Sequence, residues 1–111
     1  MSDQINADVL AKLFQVIESR RGADASSSYT AKLLAGGPPK IGKKLSEEAA
    51  EVTIAALSEG KGAVAAESAD LLYHLLVMWA AMDVKPEDVY AELAKREDTS
   101  GIDEKNSRTR T

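Results

Sequence analysis

The sequence contains no cysteine and few aromatic residues, and each shortage excludes a class of protein. Without cysteine, the 111 residues cannot form disulfides, zinc ribbons or thiolate nucleophiles. Aromatic residues make up only 5% of the chain, although hydrophobic residues of all kinds reach 44%. A core built from Ala, Leu, Val and Ile favours closely packed helices over a sheet sandwich. The absence of cysteine fits a reducing compartment, and we expect a cytoplasmic protein.

The chain also has no excess of basic residues. Its 14 basic and 18 acidic residues give a net charge of −4, so we expect no nucleic-acid partner. Residues 1–7 are polar, so we expect no signal peptide. The apolar run at residues 63–82 is long enough to cross a bilayer, but Glu67, Asp70 and His74 near its middle would be costly in lipid. We therefore expect no membrane partner.

Hydrophobic periodicity predicts an all-α fold, a bundle of about four to five helices. No strand pattern competes with it. Asn6 and Ser28 are predicted helix caps, and the sequence Gly36-Gly37-Pro38-Pro39 predicts a helix end. The predicted helices cover residues 6–20, 28–34, 39–58, 63–82 and 86–96.

Two further expectations concern how these helices pack. The predicted core face of the third helix consists of Ile41, Leu45, Ala49, Val52 and Ala56. The fourth helix is apolar nearly all round, and a chain of this size cannot cover it alone, so we expect dimerisation to complete the bundle. We expect residues 1–96 to form the domain and residues 97–111 a polar, flexible tail.

Five carboxylates make up the main functional pattern of the sequence. At about 100° per residue, Glu47, Glu48 and Glu51 share one arc of the third helix, and Glu67 and Asp70 share a stripe of the fourth. Like charges at this spacing repel one another, so a cation should offset them. Mg²⁺ suits the role because it prefers oxygen ligands and keeps waters that a phosphate can displace, and Mn²⁺ is the alternative. The pairs Glu48/Glu51 and Glu67/Asp70 can face each other across two helices as a four-carboxylate metal site.

Simpler interpretations compete with this one. The acids of the third helix can form a solvated face paired with Lys43 and Lys44. The acids of the fourth helix resist that interpretation, since acids in the middle of an apolar helix need a reason. For His74, a hydrogen bond to Asp70 one turn away is a simpler role than ligation. A di-iron bundle needs a Glu-x-x-His pair on each of two helices, and a single histidine excludes it.

Lysines accompany the acids at positions 32, 40, 43 and 44. An acidic metal site with ammonium groups beside it suits a polyphosphate, although each lysine alone is equally well an ordinary surface residue. The sequence has neither a Walker loop nor a Rossmann glycine pattern, so phosphates would not be held by a glycine-rich loop. These lysines are Lys32, Lys40, Lys43 and Lys44.

The carboxylate spacing also resembles that of a known group. Glu47-Glu48-x-x-Glu51, fifteen residues, then Glu67-x-x-Asp70 is similar to the signature of the MazG-like all-α nucleotide pyrophosphohydrolases. Over about residues 9–96, longer segments resemble the phosphoribosyl-ATP pyrophosphatase family of histidine biosynthesis. One departure is Ser46, where many relatives are expected to have Gly, but a small residue is kept. The segments are SYTAKLL (28–34), KIGKK (40–44), EEAAEV (47–52), ADLLYHLLV (69–77) and DVYAEL (88–93).

The resemblance implies hydrolysis of the small-molecule nucleotide phosphoribosyl-ATP to phosphoribosyl-AMP and pyrophosphate by an all-α homodimer. It implies that Glu48, Glu51, Glu67 and Asp70 bind Mg²⁺, with Glu47 as a further ligand or the general base. The four lysines would contact phosphates. Tyr73 and His74 would border the base or the second phosphoribosyl group.

Two other functions stay open at this point. One is a house-cleaning hydrolase for nucleoside triphosphates, and the other is a non-catalytic helical dimerisation module. Many relatives are fused to the cyclohydrolase of the next step, but this chain lacks the length and the cysteines for that domain, so we expect a monofunctional protein.

Overall fold

A computed structural model describes residues 5–97, and within them every regular element is a helix. This confirms the all-α prediction. The predicted tail beyond Glu97 lies outside the described residues. No helix within residues 5–97 is both long and apolar enough to cross a membrane. The helices are α1 (Asp8–Ser19), α2 (Tyr29–Ser58), α3 (Lys61–Ala81) and α4 (Pro86–Lys95).

The predicted second and third helices are one kinked helix, α2. The chain leaves helical geometry at Gly37, where φ is 76° and ψ −176°, and resumes the helix immediately afterwards. We call residues 29–36 the first arm of α2 and residues 38–58 the second arm. Glycine adopts this positive φ without a steric penalty, and the prolines at 38 and 39 are tolerated because they open the first turn of the second arm. Ser28 caps the first arm as predicted, accepting a hydrogen bond from the Ala31 N–H at 3.1 Å.

Helix boundaries elsewhere differ from the predictions by one or two residues. Ala7, not Asn6, is at the N-cap position of α1, although the Asn6 side chain still accepts a hydrogen bond from the Asp8 N–H at 2.9 Å. Gly60, with φ 124°, separates α2 from α3. Gly62 lies in the first turn of α3, so α2 and α3 form a hairpin with a short connection.

The predicted core face of the second arm of α2 was partly wrong. Ala49 and Ala56 are exposed, whereas Glu48 and Ala55 are buried together with Ile41. Periodicity favoured the stripe through Ala49 and Ala56 because the neighbouring stripe, which is the buried one, contains the charged Glu48. The observed rotation turns Glu48 into the buried stripe.

The core lies where α1 and α2, on both sides of its kink, pack against the C-terminal half of α3. Val9 of α1 is 54% exposed, but Leu10, Leu13, Phe14 and Ile17 of the same helix face the core. The helix α4 packs against α1, and the most extensive helix–helix packing is between α2 and α3. The buried core residues are Phe14, Ile17, Leu33, Ile41, Leu76, Val77 and Ala80.

Candidate metal centre

The α2–α3 hairpin brings three carboxylates together. Glu48 comes from the buried stripe of α2, and Glu67 and Asp70 lie one turn apart on α3. One carboxylate oxygen from each residue lies within 4.8 Å of the others. These are three of the four predicted metal ligands, and we call them the carboxylate cluster.

Glu48 is the most enclosed member of the cluster. Its side chain is only 9% exposed, and its Oε2 atom has no hydrogen-bond partner among residues 5–97. Burial raises the pKa of Glu48, and the charges of Glu51 and Asp70 raise it further, while His74 and Lys44 act in the opposite direction. A buried acceptor without a partner is costly, and a divalent cation would supply the missing interaction. The cluster therefore fits a metal ion of the oxygen-preferring kind.

Glu51 joins the cluster at its edge, through Glu67. The pKa of Glu67 is raised to about 7, first by a hydrogen bond with Glu51, then by burial and by the neighbouring Asp70. Two carboxyl groups share such a hydrogen bond only when one of them holds a proton, so this arrangement is one of mutual repulsion relieved by protonation. A bound cation relieves the same repulsion without the proton.

Glu47 and the lysines lie outside the carboxylate cluster. Glu47 is exposed, and its Oε1 atom is 3.3 Å from Nζ of Lys44. That pairing raises the pKa of Lys44. Lys40 folds over Gly36 so closely that a Cβ atom there would lie 2.5 Å from its Cδ atom. The four lysines singled out in the sequence lie on both arms of α2, one before Gly37 and three after it. Lys32, Lys40 and Lys43 are exposed.

His74 and Tyr73 take part in two partly buried side-chain hydrogen bonds beside the cluster. His74 is 5% exposed, and its Nδ1 atom bonds to the backbone oxygen of Asp70 at 2.8 Å. The bond to Asp70 expected from the sequence is present, although it uses the backbone. On the other side of the ring, Nε2 lies 3.0 Å from the Tyr29 hydroxyl, and the Thr30 and Tyr73 hydroxyls bond to each other.

The site residues predicted from the sequence did not include Tyr29 and Thr30. Their polar groups follow the Ser28 cap directly, so the sequence places them in the first turn of a helix. What it does not contain is the direction of that first arm, which the kink at Gly37 sets. The sequence does show two polar residues directly after a predicted cap. It does not show that they contact His74 and Tyr73, because that depends on the direction of the chain at Gly37.

The fold and the cluster together define a helical protein with a carboxylate site suited to a divalent cation. A model of the family described as phosphoribosyl-ATP pyrophosphohydrolase matches residues 10–97, which is most of the chain. The chain belongs to this family.

Individual relatives agree with the family match, and each carries the name phosphoribosyl-ATP pyrophosphatase. The protein from Paramagnetospirillum magneticum is 56% identical over 105 residues, covering 95% of this chain and 96% of the relative. The protein from Parvibaculum lavamentivorans is 58% identical over 103 residues, covering 93% and 94%. The protein from Azospirillum brasilense is 52% identical over 106 residues, covering 96% of both.

Proposed function

We propose that the protein hydrolyses phosphoribosyl-ATP to phosphoribosyl-AMP and pyrophosphate, a step of histidine biosynthesis. One observation carries this proposal: the family match spans residues 10–97 and so includes every carboxylate of the cluster. Relatives above 50% identity carry the name of the same activity.

In this proposal four carboxylates bind the metal ion. Glu48, Glu51, Glu67 and Asp70 would hold Mg²⁺, with Mn²⁺ as the alternative, because they are oxygen donors with unrelieved repulsion and a buried unpartnered atom. When bound, the ion supplies charge neutralisation at phosphate oxygens and a lowered pKa for coordinated water.

The chemistry is a displacement at the phosphorus next to the ribose. The oxygen of water forms a bond to the α-phosphorus, the bond between the α-phosphorus and the bridging oxygen breaks, and pyrophosphate leaves. Glu47 is the proposed general base that takes the proton of the water, since it immediately precedes the cluster residue Glu48 in sequence but points its carboxylate to Lys44 rather than into the cluster. Glu48 is the other proposed catalytic residue, through its hold on the ion.

The phosphate chain of the substrate requires cationic partners as well. Lys32, Lys40, Lys43 and Lys44 are the proposed contacts, because they lie on the same helix as Glu48 and carry exposed or partly exposed ammonium groups. Lys44 has the best-supported position, since its charge acts on both Glu48 and Tyr29.

We further propose that the protein works as a homodimer. Large apolar side chains remain uncovered on the hairpin, with Ile54 53%, Leu57 82% and Leu72 42% exposed. A second copy would remove this surface from water. Sedimentation velocity tests the proposal: Leu57→Glu should shift the protein to monomers, while Leu93→Glu on α4 should not. A wild type that sediments as a monomer at micromolar concentration would remove it.

The decisive experiment for the activity measures pyrophosphate release from phosphoribosyl-ATP with and without Mg²⁺. Glu48→Gln and Asp70→Asn should each lower the activity by at least about 100-fold, since even the outer partners of metal ligands cost up to that much. Glu92→Gln is the matched control, because Glu92 pairs with Lys95 on α4 and lies far along the chain from the cluster. Near-normal activity of either cluster variant at limiting Mg²⁺ would show that the metal site is wrong.

A substrate panel then separates the proposed activity from its alternatives. Phosphoribosyl-ATP should be turned over far faster than ordinary nucleoside triphosphates. The reverse preference would indicate a house-cleaning hydrolase with the same metal site. A non-catalytic dimerisation module predicts no turnover at all and no rise in melting temperature with Mg²⁺.

A further inference from the structure

The hydrogen bonds of His74, the single histidine of the chain, determine its tautomer. Its Nδ1 atom lies 2.8 Å from the backbone oxygen of Asp70. A carbonyl oxygen only accepts hydrogen bonds, so Nδ1 must carry the hydrogen. In the neutral ring Nε2 is then an acceptor, and its neighbour at 3.0 Å is the Tyr29 hydroxyl. The Tyr29 hydroxyl therefore donates its hydrogen to His74.

This donation determines which hydrogen bonds the Tyr29 hydroxyl can still form. With its single hydrogen directed at His74, the phenolic oxygen has only acceptor capacity left. His74 is 5% exposed and both of its nitrogens are engaged, so a ligand has little access to the ring. Tyr29 is 50% exposed and is the accessible member of the pair.

The Tyr29 ring is also held in place. It stacks on Tyr73 with ring centroids 6.3 Å apart and meets the His74 ring edge-on at 5.9 Å. The next residue, Thr30, bonds to the Tyr73 hydroxyl. These contacts join the first turn of α2 to α3 at two successive residues, so the exposed side of Tyr29 faces solvent from a fixed position.

That position borders the carboxylate cluster. His74 connects Tyr29 to Asp70 through two hydrogen bonds, one on each side of its ring. Burial raises the pKa of Tyr29, the charge of Lys44 opposes this, and the charges of Glu47 and Glu48 add to it. The phenolic oxygen is thus within electrostatic reach of the residues proposed to hold the metal and the phosphates.

We propose that Tyr29 binds the nucleoside part of the substrate, its hydroxyl oxygen accepting a hydrogen bond from a nucleotide hydroxyl or amino group, and that His74 is the positioning residue that fixes this hydroxyl. An ionised phosphate chain offers acceptors and no donors, so an acceptor-only oxygen discriminates against it. The inference rests on the proposed nucleotide hydrolysis and assigns the sugar and base side of the same site.

The first test is kinetic and uses Tyr29→Phe, which removes the hydroxyl and keeps the ring. The KM for phosphoribosyl-ATP should rise roughly threefold to tenfold with a smaller change in kcat, as expected for the loss of one hydrogen bond. Inhibition by AMP should weaken in proportion, while inhibition by pyrophosphate should stay unchanged. Tyr90→Phe on α4 is the matched control. Equal weakening of AMP and pyrophosphate, or of neither, would overturn the inference.

Two nucleotides identify the donor. Purine riboside 5′-monophosphate lacks the amino group of AMP, adds no N–H donor to the base and keeps the sugar hydroxyls. If Tyr29→Phe weakens both to the same extent, the donor is on the sugar; if it weakens AMP alone, the donor is the amino group. Each result supports binding of the nucleoside part.

The second test reads the tautomer directly and needs no activity. Because the chain has one histidine, ring ¹⁵N signals at neutral pH belong to His74 without assignment. Nδ1 should be the protonated nitrogen and Nε2 the unprotonated one, and Tyr29→Phe should move the Nε2 signal far more than that of Nδ1. The opposite tautomer would overturn the role of His74.

The positioning role has its own readout. His74→Gln keeps an acceptor and should hold KM closer to the wild-type value than His74→Leu. This difference should vanish in the Tyr29→Phe background, and its persistence there would show that His74 does not act through Tyr29. A wild type inactive on phosphoribosyl-ATP would remove the proposed function itself, whereas an active wild type with an unaffected Tyr29→Phe variant would remove only this inference.

Discussion

The two halves of α3 face different environments although they form one continuous helix. Residues 73–81 contain all four of its buried side chains, and they pack against α1 and α2. Residues 61–72 contain no buried side chain and carry Glu67 and Asp70. One half supplies hydrophobic stabilisation, and the other supplies charged oxygens.

This division explains how the helix tolerates its acids. Repulsion among Glu48, Glu67 and Asp70 opposes folding. The packed half of α3 anchors the helix, so the carboxylates stay in register at the other end. Local stability is expected to differ along α3 accordingly.

The largest expected effect comes from truncating a side chain in the packed half. Leu76 is fully buried, so Leu76→Ala should lower the free energy of unfolding by about 2–5 kcal/mol. Leu72, one turn earlier and 42% exposed, is the matched position in the other half, and Leu72→Ala should cost markedly less in dilute protein. Urea denaturation of both variants measures the difference.

Equal losses for the two leucines would contradict the division of α3 into a packed and an open half. The comparison should be made at several protein concentrations. If a partner subunit covers Leu72, the cost of Leu72→Ala should grow with concentration, while that of Leu76→Ala should stay nearly constant.

The second effect is the stabilisation by Mg²⁺, which tests the open half of α3, residues 61–72. A metal that binds only the folded protein at 100 times its dissociation constant adds about 2.7 kcal/mol of stability. Wild-type melting temperature should therefore rise with Mg²⁺, and Glu48→Gln should lose most of the rise. Leu76→Ala should retain it, since the packed half does not contribute ligands.

Thermal melts in Mg²⁺ and in EDTA provide the measurement, with Glu92→Gln as the charge-matched control. A Mg²⁺-dependent rise that survives in Glu48→Gln would show that the ion binds elsewhere. A wild type without any rise would contradict the metal site.

The sequence predicted the packed half better than the site. Apolar spacing identified α1 and the α3 core, and the acids Glu67 and Asp70 were recognised because charges within an apolar helix are costly. The rotation of the second arm of α2 was missed, and with it the burial of Glu48, because the stripe through Ala49 and Ala56 is more apolar than the observed stripe, which contains Glu48. Tyr29 was missed because its approach to His74 depends on the direction that the chain takes at Gly37, and the local pattern predicts a helix end there but not that direction.

The smallest effect is a pH dependence confined to the open half. The pKa of Glu67 is about 7 in the folded protein, above its usual 4.5, because Glu51 shares a hydrogen bond with it and because burial and Asp70 act in the same direction. Between these values the folded protein binds more protons than the unfolded chain. The contribution of Glu67 to stability is therefore present below about pH 4.5 and is lost as pH rises through 7.

Melting curves in EDTA from pH 4.5 to 8 test this sign. The wild type should lose stability relative to Glu67→Gln as pH rises, because the glutamine has no proton to release. Glu51→Gln should flatten the dependence by removing the leading cause of the raised pKa, whereas Glu59→Gln at the end of α2 should leave it unchanged. Parallel profiles for the wild type and Glu67→Gln would show that the carboxylates of the open half are not coupled in the metal-free protein. If the pH dependence of stability disappears when Mg²⁺ replaces EDTA, the coupled carboxylates are those that bind the ion. A cation and a proton relieve the same repulsion, so bound Mg²⁺ should remove the need for the proton.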